Sequence, residues 1–283
     1  MPLKQKPTVG LAASPVRYDG VTKALELIED SVADRISSSM RIVIKPDFFF
    51  TKQGLCTSVD AVRAILDFVF EYTNKKITIA EGLYNGGEIQ PVFHRAGLHE
   101  LADDYGLKYV DLNRDAFVTI SLGSDQLSLA KGSRLSLRVA KTILNSDFRI
   151  SVAVPKLTGV RFSAAMTNMA IGGLISNGTA AVKNNKAKLL SGRYYDAAVA
   201  ELLKVVRPHL SVVDGFKSVV NNRSVETNFC AASADGIAAD VIAASALGNA
   251  LNKRISRQKY LELCSRAGIG QSSLSKIAVV GNS

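Results

Sequence analysis

The chain has 283 residues, 47% hydrophobic and 21% charged, which is enough to bury a large core and too apolar for a disordered chain. Its 35 lysines and arginines against 25 acidic residues give a net charge of +10, which favours anionic partners: phosphorylated or carboxylated small molecules, nucleic acid, or an anionic membrane surface. Three distant cysteines (Cys56, Cys230, Cys264) exclude a disulfide framework or a CxxC metal site, and no apolar run is long enough for a membrane span or a secretory signal, so a soluble cytoplasmic protein with no membrane partner is expected.

In chain order, 8–13 (TVGLAA) reads as a first strand and 20–32 (GVTKALELIEDSV) as a helix. A strand at 40–45 (MRIVIK) is followed by a helical stripe over 57–72, with Val62, Ile65, Leu66, Val69 and Phe70 on one face and a capping signal at Thr57 and Asp60. The strand at 76–82 (KITIAEG) completes a βαβ unit whose strands should be parallel. Helix then strand recurs at 92–106 and 107–112.

Residues 116–140 alternate in short runs broken at Gly123 and Gly132, and read as an antiparallel hairpin insertion. The strand 148–154 (FRISVAV) ends at Pro155, and 161–173 (RFSAAMTNMAIGG) reads as a helix. The small, polar, basic stretch 174–193 is expected to be a mobile loop carrying Lys183, Lys186, Lys188 and Arg193. A helix at 194–208, a strand at 210–215 (LSVVDG), helices at 235–251 and 256–268, and a strand at 276–281 complete the chain. The pattern predicts one α/β domain across 1–283, with a mostly parallel, Rossmann-like sheet flanked by helices.

In such sheets ligands bind outside the carboxyl ends of the strands. Lys45 with Asp47, Glu81, Lys156 and Asp214 all stand at inferred strand ends, and Gly82 and Gly215 follow two of the carboxylates. Arg161, Ser163, Thr167 and Asn168 follow Lys156 on the predicted helix and add polar groups. Lysines and carboxylates in one cluster suit acid–base chemistry, metal–phosphate binding, or recognition of an anion.

Other signals are absent or weak. There is no dinucleotide fingerprint, phosphate loop or nucleophile elbow, and no cofactor is indicated. His94, His99 and His209 include no HxH or HExxH pair, and His94 and His99, five apart, read as surface or interface groups. Cys56, just before a helix, has either a lowered thiol pKa or a plain structural role.

The segments IVIKPD, TSVDAVRAILDFV, ITIAEG, YVDLNRDAFV, ISVAVPKLTG, SAAMTNMAIGG, LLKVVRPHLSVVDG and ADGIAADVIAASALG, spread in order over about residues 40–250, resemble the domain of unknown function 362 family. Carried over by position, that family's recurring polar residues fall on Lys45, Glu81, Lys156, Asn168, Asp214 and Asp240. Asp47 stands where the family usually has Asn, and Thr158, Gly159 and Val160 where a histidine often follows. Members with ferredoxin-like cysteine clusters hold iron–sulfur centres, which three scattered cysteines here cannot build.

The first reading is a protein that binds a small anionic molecule at the strand-end rim. Lys156 serves as base or electrophilic cation, Glu81 or Asp214 as proton partner, and Lys45, Asp47, Arg161 and Asn168 as binding groups. A second is a non-catalytic nucleic-acid-binding or regulatory protein using the basic loop at 183–193. A third is a magnesium-dependent enzyme using Glu81, Asp214 and Asp240. The sequence does not indicate an oligomeric state.

Overall fold

β1 (Thr8–Ala13) leads into α1 (Arg17–Glu26) and a short α2 (Ala33–Ser38), so the helix expected over 20–32 starts earlier and breaks in the middle. β2 (Ile42–Lys45), α3 (Val59–Phe70) and β3 (Thr78–Glu81) form the expected βαβ unit, with Val43 opposite Thr78 in a parallel pair. Ser58 rather than Thr57 caps α3, accepting a bond from the Asp60 N–H at 3.3 Å. These features belong to a computed structural model that describes residues 6–49, 55–123, 134–176 and 194–282.

The helix expected over 92–106 is two, α4 (Gln90–Arg95) and α5 (Leu98–Tyr105), because Gly97 between them takes φ +74°. β4 (Lys108–Asp111) pairs parallel with β3. β5 (Phe117–Gly123) and β6 (Arg134–Ala140) form the antiparallel hairpin as a separate two-stranded sheet. α6 (Lys141–Leu144) and β7 (Phe148–Ala153) follow, every residue of β7 being buried. Of the expected loop at 174–193, Leu174, Ile175 and Ser176 are buried, and 177–193, with all four basic residues, lies outside the described residues.

The sequence reading departs most from the structure after Pro155. Lys156 does not enter a loop: it opens β8 (Lys156–Thr158), which forms a tight antiparallel pair with β9 (Arg161–Ser163). Arg161 and Ser163 are therefore on a strand, and α7 (Ala165–Gly172) starts after them. After α8 (Tyr195–Val206), β10 (Leu210–Val220) runs on through Asp214 and Gly215 and returns as β11 (Arg223–Ser233). Asn221 and Asn222, at φ +48° and +64°, make the two-residue turn between them. α9 (Gly236–Ala250), α10 (Lys259–Arg266) and β12 (Ala278–Asn282) complete the described chain.

The ten-stranded sheet has the order β12-β1-β11-β10-β7-β2-β3-β4, with β8 and β9 joined to the far half of β10. From β10 to β4 all neighbours are parallel, and β11 runs antiparallel between β10 and β1. Strands buried on both faces read as continuous aliphatic runs, as in IVIK of β2. One face packs Ile42, Ile44, Ile150, Val152, Leu210 and Val212 against α1, α3, α4 and α5. On the other, Val43, Ala80, Ala153 and Val213 meet α7, α8, α9 and α10. No helix among the described residues is long and apolar enough to cross a membrane.

Candidate functional site

Alternation along β2 puts Lys45 on the same face as Val43, towards α7 rather than α3. Its side chain is 1% exposed, yet its ammonium is fully satisfied: 2.6 Å from Glu81 Oε2, 2.7 Å from Asn168 Oδ1 and 3.2 Å from the Pro46 carbonyl. Three acceptors match the three ammonium donors. Asn168 is itself fixed, since its amide Nδ2 donates to the Lys45 carbonyl at 3.1 Å and to Ser151 Oγ at 3.0 Å. Glu81 Oε1 accepts the Gly82 N–H at 2.7 Å. Gly172 lets α7 come close, for a Cβ there would stand 2.2 Å from Lys45 Nζ and Cε.

A second pair lies beside the first. Lys156 Nζ donates to Asp47 Oδ2 and, at 3.3 Å, to the Val154 carbonyl. Asp47 Oδ1 accepts the Phe49 N–H at 3.1 Å. Thr57 braces this turn: its Oγ1 accepts the Asp47 N–H at 2.8 Å and donates to the Val152 carbonyl at 3.0 Å. A buried carboxylate held this way has little freedom to swing away from its lysine.

Both pairs open on one cavity of ≈ 730 Å³ at the carboxyl ends of β2, β3 and β7. Asn168, Thr167 and Ser163 also line it, as does Arg161, which is exposed and lies 4.4 Å over the Tyr195 ring. Phe49, Tyr84, Val160, Ile171 and Tyr195 give it an apolar wall. Sequence reasoning missed Phe49, Tyr84, Tyr195 and Asn222. Only the last had a signal, the Asn-Asn turn between alternating runs.

Asp214 is not brought to this cavity. It lies inside β10, not at its end, and shares parity with Leu210 and Val212 on the α1 face. There it meets Arg17 Nε at 3.1 Å, while its Oδ2 is buried with no hydrogen-bond partner among the described residues. Burial raises its pKa and Arg17 opposes the rise. Nor does Gly215 face a ligand: the ring of Phe229 covers it, within 2.6 Å of where a Cβ would be.

Asp240, wholly buried in α9, accepts the N–H groups of Ala165 at 3.0 Å and Met166 at 3.2 Å, and the Tyr260 hydroxyl at 3.1 Å. It thus anchors the start of α7, and with it Asn168. Burial pushes its pKa up to about 7 against these hydrogen bonds. Glu81, Asp214 and Asp240 do not converge, and among the described residues no group of three or more His, Cys, Asp or Glu could hold a metal ion. Burial also raises the Cys56 thiol to about 11, which favours the structural role. His94 is at the surface, with its ring 5.9 Å from that of His99, and His209 is buried.

The family described as domain of unknown function (DUF362) matches residues 42–245. No curated protein sequence matches the chain. A solved structure, the lactate racemase apoprotein from Thermoanaerobacterium thermosaccharolyticum, is similar at 14% identity and a TM-score of 0.45, covering 82% of this chain and 55% of that one. The chain therefore spans little more than half the length of that structure.

Proposed function

The chain belongs to the DUF362 family, and we propose that it binds a small anionic molecule at the carboxyl edge of its parallel strands and moves a proton to or from it. The supporting observation is that two lysine–carboxylate pairs, Lys45–Glu81 and Lys156–Asp47, are both buried and both line one ligand-sized cavity. Burying a charge pair carries a desolvation penalty that apolar side chains of similar size would avoid. Two such pairs at a cavity wall are accounted for if the site uses them.

The roles follow from the surroundings. Lys45 has three protein acceptors and a Gly172 backbone against it, so it is a fixed cation that orients Glu81 and Asn168. Lys156, on the short β8–β9 unit, is the cation best able to turn towards an entering anion. Asp47 then becomes its proton partner, in place of Glu81 or Asp214. Each pair holds a proton donor against an acceptor at the cavity wall, so a ligand that comes within hydrogen-bond reach of either group can exchange a proton with it. The apolar wall of Phe49, Tyr84, Ile171 and Tyr195 suits a ligand with a hydrophobic body behind its anionic group.

A thermal-shift panel of small carboxylates and phosphate esters, run on wild type and Lys156→Ala, tests the reading. A compound that raises the melting temperature of wild type and not of the variant supports it. Equal stabilisation of both proteins by every active compound would remove Lys156 from the site.

A further inference from the structure

A cleft of ≈ 420 Å³ lies at the opposite, amino end of the sheet, where β1, β7 and β10 begin. Lys6, Arg35, Arg207 and His209 line it. Arg149 stands behind His209: its backbone N–H donates to His209 Nδ1 at 3.0 Å, and its Nη2 is 3.2 Å from Nε2. Arg149 spends its other donors on carbonyls, Arg207 at 2.9 Å, Ser146 at 3.1 Å and Ile143 at 3.3 Å. Arg35 lies 6.0 Å over the Phe148 ring.

Among the described residues, none of Arg35, Arg149 and Arg207 has an ion-pair partner, although other arginines of the chain do. The nearby carboxylates are already engaged. Asp235, in the cleft, accepts the N–H groups of Ala238 and Gln271 at 3.0 and 2.9 Å. Asp147 is held by Arg41 at 2.7 Å. Burial first and the charges of Arg35 and Arg207 next bring Arg149 down to about 10, and burial and Arg149 hold His209 at about 3, so the imidazole stays neutral and offers no further cation at neutral pH.

Arg35 and Arg207 act on each other electrostatically, the Asp235 carboxylate in the cleft offsets Arg207 only in part, and a bound anion would relieve the remaining repulsion. Arginine's planar fork meets two oxygens of one anion at once, and a phosphoryl group, with more oxygens and more charge than a carboxylate, can answer two such forks and a lysine together. We propose that this cleft is a second binding site, for the phosphoryl group of a small molecule, gripped by Arg35 and Arg207 with Lys6 at the mouth. It shares no lining residue with the lysine-pair cavity, so the two readings stand or fall separately.

The test is calorimetric titration of inorganic phosphate, of pyrophosphate and of a long oligonucleotide into wild type, Arg35→Gln/Arg207→Gln, Lys156→Ala and the surface control Arg254→Gln. The equivalent of probe held by the cleft should bind wild type, Lys156→Ala and Arg254→Gln alike and weaken roughly tenfold or more in the double variant, whereas any further equivalent taken by the lysine-pair cavity should be lost in Lys156→Ala and kept in the double variant. The double variant without probe should melt close to wild type, since the Arg35–Arg207 repulsion it loses offsets the attraction of Arg207 for Asp235 and no direct ion pair is broken. Its melting point should rise with phosphate less than that of wild type does. Three results would overturn the proposal: no saturable binding to wild type at millimolar probe, unchanged affinity in the double variant, or binding through these arginines of a long oligonucleotide only.

Discussion

Lys45 Nζ and Glu81 Oε2 lie 2.6 Å apart at the ends of two adjacent parallel strands, their side chains 1% and 4% exposed. Removing one partner leaves the other charge buried and uncompensated. Lys45→Met or Glu81→Leu alone should destabilise the fold by about 3–5 kcal/mol, whereas the double variant Lys45→Met/Glu81→Leu should recover most of that loss. Urea denaturation of the four proteins checks this. Single variants within half a kcal/mol of wild type would show the pair to be more solvated than its burial indicates.

Gly172 ties helix packing to the same ammonium. A methyl group added there meets Lys45 Nζ and Cε, and the lysine must leave Glu81 and Asn168 or α7 must move. Gly172→Ala should therefore cost about 1–3 kcal/mol of stability, as overpacking does, and also abolish ligand-induced stabilisation at the cavity. Retained ligand response in a stable Gly172→Ala protein would separate Lys45 from the site.

Asp240 sets a pH dependence with a definite sign. Its carboxyl has a pKa of about 7 when folded and an ordinary carboxylate value when unfolded. Between those values the unfolded chain is ionised while the folded one keeps its proton, so this group lowers stability as pH rises and its effect levels off above about 7. Relative to Asp240→Asn, wild type should lose about 2 kcal/mol between roughly pH 5 and pH 8. Parallel stability–pH curves for the two proteins would contradict the burial argument.

His209 acts in the other direction. Burial and Arg149 hold its folded pKa at about 3, below the unfolded value of 6.5. The unfolded state binds the extra proton, so this contribution is present above about pH 6.5 and is lost as pH falls towards 3. His209→Gln, which keeps an acceptor for the Arg149 N–H, should flatten the acid limb of the stability curve. An acid limb of unchanged slope would mean that His209 titrates freely.

The parallel half of the fold was legible because its strands are buried on both faces. Short aliphatic runs at β2, β3 and β7, separated by the apolar stripe of α3, admit few other arrangements. The β10–β11 pair was not legible as far as it goes, since Asp214–Gly215 in an apolar run reads as a strand end. What keeps that carboxylate inside a strand is Arg17, 197 residues away, which no local pattern reveals. The lysines were identifiable as strand-end cations, but their partners were not. Asp47 reaches Lys156 across 109 residues, and the strand pair that carries Lys156 depends on register with the far half of β10. The aromatic wall of the cavity comes from loops and a helix start, where apolar residues look like ordinary core.

The most direct test of the account is native mass spectrometry of the purified wild-type protein and of Lys156→Ala, each after incubation with the most stabilising anion from the thermal-shift panel. Wild type should carry a one-to-one adduct that is lost from the variant while the variant's charge-state distribution stays that of a folded protein. An adduct of equal occupancy on both proteins would place the anion somewhere other than the Lys156–Asp47 corner and contradict the proposed site.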